Sequence, residues 1–142
     1  MRFILSIALL ACASITSAAS LTVIIADPAN QEGTIRIALF NSPEGFPETE
    51  YLVKSIEVSA SSVDSDAKVT TIFKNLSPGT YAISTYHDAN DNEVLDKNSF
   101  GIPKEPYGFG NNAEGDFGPA KFEDASFVVT EEGENIQEIK LH

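Results

Sequence analysis

Apolar and polar side chains alternate in short runs along this chain, and clusters of Gly, Pro, Asn and Asp separate the runs. A period of two is the pattern of a strand with one buried face. Leu21–Ala26 (L-T-V-I-I-A) is apolar and β-branched and stops at Asp27-Pro28, so it predicts a first strand. Thr34–Phe40 places Ile35, Ile37 and Leu39 on one face and Arg36, Ala38 and Phe40 on the other. It predicts a second strand, expected to form a hairpin with the first across the turn cluster Asn30–Gly33. Val53–Ala60 alternates Ile56 and Val58 with Ser55, Glu57 and Ser59, a third strand with one wet face. Lys68–Leu76 sets Val69, Thr71 and Phe73 against Thr70, Ile72 and Lys74, a fourth. Ser77-Pro78-Gly79-Thr80 is a tight turn, with Pro fixing φ and Gly supplying a positive φ. Tyr81–Tyr86 is the fifth strand, with Tyr81, Ile83 and Thr85 on one face. Ala125–Thr130 and Asn135–Leu141 are the sixth and seventh. In the last, Ile136, Ile139 and Leu141 break strict alternation, and a bulge is expected there.

The segments between are irregular. Asn41–Pro47 is a loop from which Phe46 is expected to tuck onto the core. Glu48–Lys54 reads as one helical turn or an irregular lead-in. Ser99–Ala120 has no periodicity and is dense in Gly, Pro, Asn and aromatic residues. A structureless loop of that length in a compact domain is usually functional or evidence that the segment is misread. Seven short strands with no long amphipathic helix predict an all-β fold, an antiparallel Greek-key β-sandwich with a long Gly/aromatic loop after strand five. Its layout is transthyretin-like or immunoglobulin-like. The Cys…Trp…Cys pattern of true immunoglobulin domains is missing, because the chain has no Trp, so the transthyretin-like layout is the better match.

Composition narrows the setting. The formal net charge is −12, from 21 acidic and 9 basic residues. That balance argues against nucleic acid and anionic membrane surfaces as partners. Residues 1–19 resemble a secretory signal peptide: Arg2, an apolar run Phe3–Ala13, then small residues at Ser17 and Ala19. The run is too short to span a bilayer. Cleavage before Ser20 would leave a single domain, 20–142, in the periplasm or outside the cell. The competing reading is a lipoprotein signal in which Cys12 carries lipid and anchors the chain. Cys12 is the only cysteine, so the domain after Ser20 has no disulfide and no thiolate chemistry. No later segment reads as transmembrane.

Candidate chemistry concentrates in His87–Asn98, H-D-A-N-D-N-E-V-L-D-K-N. Asp88, Asn90, Asn92, the Val94 carbonyl and Asp96 fall at positions 1, 3, 5, 7 and 9 of an EF-hand-type calcium loop. The usual Gly at position 6 is Glu93, and the usual bidentate Glu at position 12 is Ser99. The expected cofactor is therefore calcium, held weakly, with an affinity of about 10⁻⁴–10⁻³ M. Asp91, Glu93, Glu114 or Asp116 would supply further oxygens. A metal-free network of Asx turns accounts for the Asn content equally well; the regular spacing ending in Asp96 favours the metal. His87 has two readings, a general base or metal ligand, and a strand-end histidine hydrogen-bonded to the loop. The second is preferred. With His142 as the only other histidine, a multi-histidine zinc site is not expected.

In the long loop, Tyr107, Phe109, Asn111 and Asn112 form a candidate ligand site, since exposed aromatics beside amides suit a sugar or peptide. The preferred alternative is that Tyr107, Phe109, Phe117 and Phe122 fold inward as a plug on one end of the sandwich. These stretches resemble a bacterial family, domain of unknown function 2141. Its pattern is similar to Leu76–Ala82 (L-S-P-G-T-Y-A), the H-D-x-N-x-N-x-x-x-D of His87–Asp96, Gly101–Asn112, Phe117-Gly118-Pro119 and the F-x-D-A of Phe122–Ala125. Ser77, Glu93 and Gly110 stand where the family commonly has Pro, Gly and Ser. The resemblance implies an exported β-sandwich and no established activity. The functional expectation is a non-catalytic binding or structural module whose 87–98 loop orders 99–120, with a glycan or another exported protein as partner. The alternatives are a carbohydrate-binding module and a hydrolase using Asp88, Asp96 or Glu105 beside His87.

Overall fold

The computed structural model of the protein describes residues 18–142. The signal-like segment therefore lies outside the described residues up to position 17, as does Cys12. The alternating runs become β1 (Ala19–Ala26), β2 (Thr34–Phe40), β3 (Lys54–Ser59), β4 (Lys68–Leu76), β5 (Gly79–Asp88), β6 (Tyr107–Phe109), β7 (Ser126–Val129) and β8 (Ile136–Lys140). One sheet has the order β4-β1-β8, and the other β3-β2-β5-β6 with β7 also on β5. The fold is all-β. Helix among the described residues is limited to one turn, α1 (Phe122–Ala125), and short 3₁₀ turns.

The period of two explains the core. Leu21, Val23 and Ile25 of β1, Val69 and Phe73 of β4 and Ile139 of β8 face Ile35, Ile37 and Leu39 of β2, Tyr81 and Ile83 of β5 and Val129 of β7. The pleat sends alternate residues to one side, so each run delivers its apolar set to the same interior. Each such side chain is buried, at about 1.5–3 kcal/mol of stabilisation apiece. At the corner between the sheets, Tyr81 Oη donates to the Ser77 carbonyl at 2.7 Å. This is the arrangement of the tyrosine corner, which fixes a chain crossing from one sheet to the other.

Several expectations are corrected. β1 and β2 do not form a hairpin: β1 pairs antiparallel with β4 and parallel with β8, and β2 pairs with β3 and β5. Both strands carry one apolar face, and placing them in opposite sheets buries those faces against each other. The parallel β1–β8 pair also means that the sandwich is not purely antiparallel. The seventh expected strand carries no bulge; Ile136 is exposed and pairs in regular register with Thr22. The irregularity lies instead between Ala19 and Leu21 of β1. Ala125 closes α1 before its strand starts.

The eighth strand, β6, was hidden in the aperiodic loop because it has three residues. Its Gly108 faces inward, where a Cβ would come 2.7 Å from Ile139 Cγ2, so the close approach to β8 requires glycine. Tyr107 and His142 exchange backbone hydrogen bonds of 3.2 and 3.0 Å, and these tie the β5 edge to the end of the other sheet.

Candidate functional site

The outer face of the five-stranded sheet is covered by loops, and they form two layers. The first is polar and grows from the end of β5. Parity separates His87 from Asp88. His87 pairs with Ile35 and points into the core, fully buried. The Ala29 N–H donates to its Nδ1 at 3.2 Å, so its proton sits on Nε2 and is donated to the Glu32 carbonyl at 2.7 Å. Gly33, at φ +71°, lies so close to the Asp88 carbonyl that a Cβ would overlap it; the turn that receives His87 needs glycine there. His87 is a buried strand-end residue bonded to a loop, and the loop is 29–32.

Asp88 points outward and is also fully buried. Arg36 Nε donates to its Oδ2 at 2.6 Å, and the N–H groups of Asn92 and Glu93 donate to Oδ1 and Oδ2 at 3.1 and 2.9 Å. Burial pushes this carboxyl up, but the Arg36 contact and the two N–H groups outweigh it and hold the group below the usual carboxylate range. Arg36 also meets Glu57 at 2.6 Å and Glu93 at 3.9 Å.

The rest of the loop satisfies itself. Asn90 Oδ1 accepts from Asn92 N–H, and Asn92 Oδ1 from Val94 N–H, at 3.2 and 3.0 Å. Their Nδ2 groups donate to the two oxygens of Asp96 at 2.8 and 3.0 Å. Asn serves here because it accepts and donates at once; Asp would crowd carboxylates together. Glu105 accepts from Ala89 N–H at 3.2 Å and Asp96 N–H at 3.0 Å, closing the loop from outside. Glu93 adopts φ +67°, the left-handed turn conformation that glycine takes without strain. Among the described residues, no three His, Cys, Asp or Glu side chains cluster as a metal site; Asn90, Asn92 and Val94 would have to complete one. Of the additional oxygens expected for calcium, Glu93 turns to Arg36 and Glu114 to His142.

The second layer is apolar. Ala82, Phe109, Ala120 and Ala125 form a small core of their own, with Phe46, Tyr107 and Phe122 packed on it. Phe46 sits in an aromatic cluster, 5.0 Å from Phe40, 5.9 Å from Phe109 and 5.7 Å from Phe122 between ring centroids. Of the four expected ligand residues, Phe109 is buried, and its ring stands at 75° to that of half-buried Tyr107. Asn111 Nδ2 donates to the Ser126 carbonyl at 2.7 Å. Asn112 donates to the Glu138 carbonyl and accepts from Lys140 N–H, so its amide pairs with β8 as a peptide group would. These two Asn clasp β7 and β8.

Between the layers lies a cleft of about 590 Å³, within the usual range for small-ligand sites. Ser84, Tyr86, Tyr107 and Phe109 line it from β5 and β6, and segments 47–49, 93–95, 100–103 and 115–119 line it from the loops together with Lys97. Burial pushes the Tyr86 phenol up to about 12. Phe100 is 89% exposed, Val94 61%, Ile102 58% and Phe117 fully exposed, and all four line this cleft. Their exposure is the signal that sequence reading missed, since a Phe in an aperiodic loop does not announce which way it faces.

No curated protein and no solved structure matches this chain. The family model described as an uncharacterized protein conserved in bacteria (DUF2141) matches residues 23–137, from β1 into β8. The chain belongs to that family.

Proposed function

We propose that this domain is a non-catalytic binding module of an exported protein, and that its site is the cleft on the outer face of the five-stranded sheet. The observation that carries this reading is the gathering of Val94, Phe100, Ile102 and Phe117, all largely exposed, around one cleft. Contiguous exposed apolar surface marks a binding site more often than a solvated face. The 88–105 loop then has a mechanical task. Its hydrogen bonds hold the loop so that 93–103 forms one wall. The carboxylates a hydrolase would need are engaged: Asp88 with Arg36, Asp96 with two Asn amides, Glu105 with two backbone N–H groups. A sugar platform on Tyr107 and Phe109 would want coplanar exposed rings, which a 75° pair does not provide.

The test is uptake of a neutral apolar dye. Nile red should fluoresce with the native chain, and Phe100→Ser/Phe117→Ser should abolish the signal without lowering Tm. Equal uptake by the double variant sinks the assignment of the site.

Calcium is a second reading, favoured by the spacing of Asp88, Asn90, Asn92 and Asp96. At roughly 1 mM Ca²⁺ and a Kd near 0.1 mM, linkage would add about 1.4 kcal/mol. A melt with and without chelator decides it: an unchanged Tm leaves the loop to its hydrogen bonds alone.

A further inference from the structure

The charges around the cleft are unequal. Three carboxylates line it, Glu48, Glu93 and Asp116, against one basic side chain, Lys97. Arg36 borders an adjoining depression that shares Tyr86 and Glu93, but its guanidinium is held by Asp88 and Glu57 at 2.6 Å and reaches Glu93 only at 3.9 Å, so the Glu93 carboxylate is not neutralised by a close pair. The whole chain reinforces the local imbalance, with a formal net charge of −12. An acidic rim over low-dielectric walls concentrates cations. Exposed ring faces at Phe100 and Phe117 add the attraction of an aromatic quadrupole for an ammonium group. At Tyr107 the outer edge of β6 is already occupied, because this residue exchanges its hydrogen bonds with His142. A peptide strand would therefore find no ladder to extend there, whereas a small ligand needs none.

Resting on the binding-module reading, we infer that the cleft takes a small organic cation: an ammonium group carried on an aromatic or alkyl body. The apolar body lies against Phe100, Ile102 and Phe117. The charged head meets Glu48, Glu93 and Asp116.

The probes are benzyltrimethylammonium, phenylacetate and benzyl alcohol, which share an aromatic body and differ in charge. Each is titrated into the ¹⁵N-labelled chain while amide shifts are followed. The cation should move resonances in 93–103 and 115–118. The anion should not. Added salt should weaken the cation, and Glu48→Gln/Glu93→Gln/Asp116→Asn should raise its Kd at least fivefold with the fold unchanged by amide dispersion. If phenylacetate or benzyl alcohol enters the cleft as tightly as the cation, or if the triple variant binds the cation undiminished, the cationic assignment is overturned while the cleft remains a binding site. If no probe moves the cleft resonances, the inference falls, and Nile red uptake by the native chain and the Phe100/Phe117 variant judges the broader reading separately.

Discussion

The two faces of the five-stranded sheet are built on different principles. The inner face is a regular apolar array. Ile35, Ile37, Leu39, Tyr81 and Ile83 are set by alternation and are covered by an equally regular sheet. Among the described residues, the outer face has no sheet above it. Loops cover it, held by the Arg36–Asp88 contact, by Asx turns and by an aromatic cluster around Phe46. The inner face has almost no freedom in what it packs against. The outer face leaves a cleft, and its exposed aromatics lie there. Stability is thus assigned to one side of the sheet and the proposed binding cleft to the other, and a substitution should report which side it touches.

The largest effect belongs to the core that covers the inner face, to which β4 of the opposite sheet contributes Phe73. Phe73→Ala removes a fully buried ring and should cost about 3–5 kcal/mol, read as a lower urea midpoint for the whole domain. On the outer face, Arg36→Ala should come next, at about 3 kcal/mol, because it leaves the Asp88 carboxylate buried with no cation. Its signature should be local as well, with loss of exchange protection at the Asn92 and Glu93 amides. A loss confined to β2 would break the comparison.

The same pair has a pH dependence of known sign. The Asp88 carboxyl is held below its ordinary range, so the unfolded chain takes up that proton first. Its stabilising contribution is complete above the unfolded pKa of about 4 and is lost as pH falls through the lower folded value. Unfolding free energies measured from pH 6 down to pH 2 should fall less steeply in Asp88→Asn than in the native chain.

Two smaller effects sharpen the contrast by running in the opposite direction. Thr85 lies on the inner face, 1% exposed, and its Oγ1 has no partner among the described residues. Thr85→Val should stabilise by about 1 kcal/mol by removing a buried unsatisfied hydroxyl. Glu93→Gly relieves the left-handed conformation at φ +67°. It should gain about 0.5–1 kcal/mol, less than the full left-handed penalty because glycine loses more entropy on folding. Calorimetry checks both, and a destabilised Glu93→Gly would mean that the 3.9 Å contact to Arg36 matters more than the backbone.

The strands were legible in sequence because each is a local pattern. Lys68–Leu76 is found where its alternation places it, and Thr34–Phe40 likewise. β6 was not legible, since three residues with Gly at the centre carry no periodicity; what makes them a strand is the waiting edge of β5 at Ser84–Tyr86. The self-bonding of Asp88–Asp96 was half legible. The Asx pattern was plain, but Asp88's principal partner was not, because Arg36 lies 52 residues away and reads locally as an ordinary charge on a wet strand face. Asn111 and Asn112 looked like ligand amides and are clasps, because an amide suits an exposed sugar and an unpaired strand edge equally well.

The sequence alone determined the all-β class, the inward faces of β2, β3, β4 and β5 and the family, because period, turn chemistry and motif act over a few residues. Only the tertiary structure decided which strands pair, that β1 and β8 run parallel, that Arg36 neutralises Asp88, and that Phe109 is buried while Phe100 and Phe117 are not. Those outcomes depend on which surfaces meet at long sequence separation, where alternation constrains the side a residue faces but not the neighbour it finds.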